Sequence, residues 1–122
     1  LVDAEHEESS PEAATLLINR LSCSLVGQTQ LVRFTPGSQV ATIYGQSEAM
    51  EEFRCNYGFN SSFAENFRSG ALRFSGFDSA GELRVVELPA HRFFVATLFL
   101  PQMRSNVGHP HPLITAYLRA AR

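Results

Sequence analysis

A chain of 122 residues has room for one modest domain at most. With 44% hydrophobic and 18% charged residues it is globular rather than disordered material, and a net charge of −2 gives no electrostatic case for nucleic acid or an anionic membrane. No apolar run approaches membrane-spanning length and no signal-peptide pattern opens the chain, so a soluble, cytoplasmic protein is expected.

The opening residues, Leu1 to Glu8, are acidic and lack periodic apolar positions, which predicts a solvated loop. Pro11 behind Ser10, with Ser9 and Glu12 in capping-box spacing, precedes the stripe Ala13, Leu16, Leu17 and Leu21; this spacing predicts a helix over 11–21. A strand is expected over Gln30–Phe34, a turn over Thr35–Ser38, and a short helix or turn from Ser38 to Tyr44, ending at Gly45. Glu51–Tyr57 reads as one strand closed by Gly58 and Asn60. A short helix over 61–69 follows, with Ser62 and Glu65 as its capping pair. Leu72–Gly76 and Leu83–Leu88 flank the turn sequence Asp78-Ser79-Ala80-Gly81 and predict a hairpin.

Phe93 to Phe99 is apolar, aromatic and β-branched throughout, the pattern of a central strand buried on both faces. Pro101 turns the chain out of that strand. His109-Pro110-His111-Pro112 then leads into Leu113, Ile114, Tyr117, Leu118 and Ala121 at helical spacing, so a proline-started helix is expected over 112–121.

The order ELPAHRFFVATLFLPQMRSNVGHPHPLITAYLRAA, from Glu87, resembles the end of the CTP synthase glutaminase domain in the class I glutamine amidotransferase family. There the strand runs into His-Pro-Glu, and Pro-His-Pro-Leu opens the last helix. Pro101 matches the central proline, while Leu100 stands at the family's histidine and Gln102 at its glutamate. Upstream, Met50 to Asn60 resembles the family's strand of alternating arginine and histidine. Glu51, Arg54, Tyr57 and Asn60 match; Phe53 and Cys55 take histidine positions, and Asn56 takes that of the arginine that holds glutamine's carboxylate. The resemblance covers roughly Ser10 to Ala121.

It implies an α/β, flavodoxin-like fold with a mixed, mostly parallel sheet and flanking helices. Residues 1–122 would be a single partial domain, the C-terminal half of a glutamine amidotransferase-like domain. The Gly-x-Cys-x-Gly nucleophile elbow has no counterpart, since Ser22-Cys23-Ser24 lacks the glycines. A parallel sheet cut there exposes apolar edge, so the implied partner is the N-terminal half of the same domain or a second copy of the chain.

Amide hydrolysis of this type needs a nucleophilic cysteine, a histidine to move protons and a carboxylate to orient it. Leu100 and Gln102 cannot supply the last two. The expected site positions are therefore the degenerate pair Leu100 and Gln102, with Arg54, Cys55, Asn56 and Tyr57 as substrate-binding candidates. Cys23 and Cys55 are too few for a disulfide framework and are read as free thiols; Cys55, beside Arg54, is either an activated thiol or a buried structural one. His109-x-His111 lies among prolines without neighbouring ligands, so no metal and no cofactor is expected, and these histidines set the start of the last helix. His91 and His6 are expected to face solvent. Three functional readings stay open: an amidotransferase-like protein acting on another amide or binding a metabolite, a non-catalytic regulatory or interaction subunit, and an active glutaminase that recruits His109 or His111 as base.

Overall fold

A computed structural model describes residues 5–6, 16–68 and 70–122. The described strands form two sheets. β1 (Glu5–His6), β2 (Leu16–Arg20) and β5 (Tyr57–Phe59) make the smaller, in the order β1-β2-β5. β3 (Gln28–Phe34), β4 (Glu48–Phe53), β6 (Arg73–Asp78), β7 (Leu83–Glu87) and β8 (Val95–Thr97) make the larger, in the order β4-β3-β6-β7-β8. The helices are α1 (Gln39–Tyr44), α2 (Ala64–Arg68) and α3 (Pro112–Ala120).

The mostly parallel sheet expected from the sequence is not what these residues form. Every pairing in the larger sheet is antiparallel, and among the described strands only β1 and β2 run parallel. Connection geometry gives the reason. A parallel crossover needs a segment that carries the chain back along the whole strand. Six-residue α1 spans about 9 Å at 1.5 Å per residue, against about 24 Å for seven-residue β3, so the chain can only return antiparallel.

Three further expectations are corrected. Leu16–Arg20 is strand, not helix, because its apolar run pairs with Tyr57–Phe59; the 11–15 part of the expected helix and its capping pair lie outside the described residues. Within the acidic leader, Glu5–His6 is a short strand against Leu16–Ile18, and the rest of residues 1–8 lies outside the described residues. The single strand expected over Glu51–Tyr57 is two: β4 ends at Phe53, and after a break β5 continues in the other sheet.

Other elements form where their local chemistry places them. Ser38 caps α1 by accepting from the Ala41 N–H, and Gly45, at φ 69°, closes it in the left-handed region that glycine enters without strain. The helical segment expected over 61–69 is a 3₁₀ turn, Ser61–Phe63, followed by α2. Its cap is the Asn60 side chain, which accepts from the Ser62 N–H, rather than the Ser62/Glu65 pair. The β6–β7 hairpin turns on Asp78, whose Oδ1 accepts from the Ala80 and Glu82 N–H groups. Gly76 sits at a register shift in β6, where a Cβ would lie 2.6 Å from Val85 Cγ2 and force the hairpin apart.

The core lies between one face of the larger sheet and α1 and α3. Val32, Phe34, Val40, Phe53, Val85, Phe99 and Leu113 are buried there, with the Phe53 and Phe99 rings edge to face at 5.8 Å. β8, expected to be a central strand buried on both faces, is instead an edge strand. Phe99 at its end is buried, but Ala96 and Phe94 are exposed, the latter 41%. Its composition is that of an interior strand, while its outer side has no strand beside it among the described residues. No described helix is long and apolar enough to cross a membrane.

Candidate functional site

β8 ends at Thr97, and three residues on the chain reaches the elbow Leu100-Pro101 and a 3₁₀ turn, Pro101–Arg104. The Leu100 N–H donates to the Glu52 carbonyl at 3.0 Å, which sets the elbow beside the end of β4. Residues 54–57 start there, so the two segments singled out from the sequence lie at the same end of the sheet. Leu100 is half-buried and Gln102 exposed. Arg54 and Asn56 are exposed, and Cys55 and Tyr57 are half-buried.

The segment 54–57 is held from outside by the loop Leu21–Leu25. Leu21 N–H donates to Asn56 O at 2.7 Å and Leu25 N–H to Cys55 O at 3.1 Å. The Cys55 sulfur turns into its own bend, accepting from Tyr57 N–H at 3.2 Å and donating to Tyr57 O at 3.0 Å. The thiol is free and half-buried, and its sulfur is tied to the backbone of its own bend. Cys23 is free and exposed in the loop. The Tyr57 hydroxyl accepts from Arg20 Nη2 at 3.2 Å, and that guanidinium lies 5.3 Å from the ring centroid.

A second polar group sits inside the core and was not foreseen. Glu51 and His111 are both nearly fully buried, and His111 Nε2 lies 2.6 Å from Glu51 Oε2. The Tyr44 hydroxyl donates to the same oxygen, and its ring packs edge-on against the imidazole at 5.4 Å. His111 Nδ1 accepts from the Leu113 N–H at 3.1 Å, capping α3. The hydrogen-bond pattern therefore assigns the ring proton to Nε2 and aims it at Glu51. A carboxylate oriented on an imidazole resembles half of a hydrolytic triad. Here, however, both ring nitrogens are committed, one to Glu51 and one to the backbone of α3, so the pair ties α1, β4 and α3 together.

The signal for it was in the register. Ala49, Glu51 and Phe53 share the inward face of β4, so a carboxylate stands at a core position. Glu87 stands in the same relation to β7, and its two oxygens accept from the Gln39 and Val40 N–H groups at 3.0 and 3.1 Å, at the start of α1. His111 does set the start of the last helix, as expected, and His91 is exposed. Among the described residues no group of three His, Cys, Asp or Glu side chains is placed to hold a metal.

Burial, the hydrogen bond to Glu51 and its negative charge all push the Tyr44 phenol above its ordinary range. The folded form thus keeps a proton that the unfolded chain gives up near pH 10, so stability held below that pH is lost as pH rises above it. Thermal unfolding across pH 9–11.5 should show a steeper alkaline loss of Tm in the native chain than in Tyr44→Phe. Parallel curves would show that the phenol is not held in this way.

No protein-family model matches the chain. Curated relatives do. The CTP synthase of Picosynechococcus sp. is 34% identical over 131 aligned positions, covering 99% of this chain and 24% of that protein. The CTP synthase of Cytophaga hutchinsonii is 30% identical over the same extent. Among solved structures, the glutaminase domain of Trypanosoma brucei CTPS with bound acivicin matches with a TM-score of 0.89 and 25% identity, over 98% of this chain and 50% of that one. The chain belongs to the CTP synthase glutaminase-domain family. It spans 24% of the length of the two CTP synthases it matches end to end. Within this glutamine amidotransferase frame, the elbow at Leu100-Pro101-Gln102 is the segment in which the resemblance places the catalytic histidine and glutamate.

Proposed function

We propose that this chain is a CTP synthase-related, glutamine amidotransferase-like protein that does not hydrolyse glutamine by the usual triad. The reading rests on Leu100 and Gln102, which the sequence resemblance sets against the family's histidine and glutamate: an alkyl side chain takes no proton, and a neutral amide supplies no charge to hold an imidazolium. Asn56, exposed where the family has its carboxylate-binding arginine, points the same way, because glutamine's carboxylate would lack a bidentate partner. Recruitment of His111 as a substitute base is disfavoured by its burial and its two committed nitrogens. What remains at this site is recognition of another amide or a metabolite, with roles for Arg54, Cys55 and Tyr57.

A second reading, a non-catalytic regulatory or interaction subunit, is favoured by one observation: β8 has the composition of an interior strand yet lies at a sheet edge. In a whole flavodoxin-like domain, parallel strands would add there, contributed by the N-terminal half of the same domain or by a second copy of this chain.

Ammonia release from glutamine tests the first reading. The protein should be slower than an active glutaminase domain by roughly 10⁴-fold or more, as expected when a triad member is missing. Leu100→His, Gln102→Glu and Asn56→Arg together should raise the rate only when a nucleophilic cysteine is supplied by the remaining half of the domain. An ordinary glutaminase rate in the unmodified protein would overturn the proposal.

A further inference from the structure

The cleft between the two sheets holds a cavity of about 710 Å³ whose lining includes none of residues 54–57, Leu100 and Gln102, although Arg20, Leu21 and Leu25 in its wall bond to that segment. Arg84 of β7 forms part of its wall although the residue is only 4% exposed. Its Nε and Nη2 both donate to Asp78 Oδ2, at 3.1 and 3.0 Å. This side-on pairing uses one edge of the guanidinium. Asp78 has no capacity left to turn further, since its other oxygen holds the Ala80 and Glu82 N–H groups of the hairpin.

The opposite edge of the guanidinium, carrying Nη1, has no hydrogen-bond partner among the described residues. Its flank passes the backbone of Gly58, where a Cβ would lie 3.4 Å from Nη1. The Phe53 ring covers it at 5.7 Å from the centroid. An arginine held this rigidly has surrendered its rotamer entropy before any ligand arrives.

We propose that this cavity is a binding site for a small oxyanion, a carboxylate or phosphate group received by the free edge of Arg84. The fork of the guanidinium matches two oxygens of such a group, and Asp78 offsets the arginine's charge while fixing its plane. Ser61 and Asn19, which also line the cavity, offer polar groups for the remainder of the ligand. The Glu82 carboxylate shares the same wall and disfavours highly charged polyanions, so the ligand class is a small monoanion or dianion. The Arg20 guanidinium lines the cavity too, where it holds Tyr57.

The test is titration of the whole chain with inorganic phosphate, and separately with succinate, at constant ionic strength. The Arg84 Nε–H resonance and calorimetry report the binding. Saturable movement of that resonance is expected, with the two titrants showing whether phosphate or carboxylate is preferred. Arg84→Lys, which keeps a cation against Asp78 but removes the guanidinium fork, should weaken binding at least tenfold by calorimetry. The double substitution Arg84→Met with Asp78→Asn, which strands no buried charge and keeps the turn acceptor, should abolish it. An Arg84 signal that neither anion moves, or binding of full strength in Arg84→Lys, overturns the proposal.

Discussion

Glu51→Ala is expected to lower the stability of the chain by about 3–5 kcal/mol, far more than its size suggests. The loss takes the shared acceptor from two donors, the buried His111 Nε2–H and the half-buried Tyr44 hydroxyl 3.2 Å from it, and opens a space inside the core. Each unmade bond costs roughly 1–3 kcal/mol, and the removed methylenes add to it. The effect is distributed over α1, β4 and α3, because Tyr44, Glu51 and His111 come from those three elements. Tyr44→Phe should cost only about 1 kcal/mol, since it removes a donor without stranding one. Urea titrations of the single variants and of Glu51→Ala with His111→Ala would separate the terms. The double variant should cost clearly less than the sum of its singles, as coupled partners do. Additive losses would show that the three groups do not act as a unit.

The second large effect concerns the open edge of β8. Among the described residues, Thr97, Ala96 and Val95 pair with Val85, Val86 and Glu87 on one side only, and the pairing is extended by Leu98 N–H to Arg84 O at 2.9 Å and Leu88 N–H to Phe94 O at 3.1 Å. An apolar strand with one bare side is a template for another strand. Beside it, an almost wholly apolar cavity of about 290 Å³ is lined by Leu17, Phe59, Phe74, Val86 and Leu98. Sedimentation of the 122-residue chain at tens of micromolar should therefore give a species heavier than the 13.5 kDa monomer. Co-expression with the N-terminal half of a glutaminase domain should convert that species into a one-to-one complex. A cooperatively unfolding monomer with slowly exchanging amides across 93–99 would sink the idea.

Residue chemistry by itself determined the elements whose ends are punctuated locally. Ser38 and Gly45 bracket α1, Asp78 to Gly81 turns the hairpin, and Pro112 behind His111 starts α3, because caps and turns are contacts between residues a few positions apart. The family frame was legible for the same reason: Pro101 and the Pro-His-Pro-Leu segment are short and ordered, and the replacements at Leu100 and Gln102 stand out against them. Strand direction was not legible. An apolar run has the same composition whether its neighbour runs up or down, and the choice rested on how far α1 could carry the chain. Leu16–Arg20 misled for a related reason, since short apolar runs satisfy helical and extended patterns alike until a partner such as Tyr57–Phe59 decides. Tertiary structure alone decided the polar interior. Glu51 meets His111 across sixty positions of sequence, Glu87 meets the start of α1 across forty-seven, and Arg84 is turned by Asp78 toward the cleft. A buried charge is tolerated only where a distant partner satisfies it, and that partner is set by the way the sheets and helices pack.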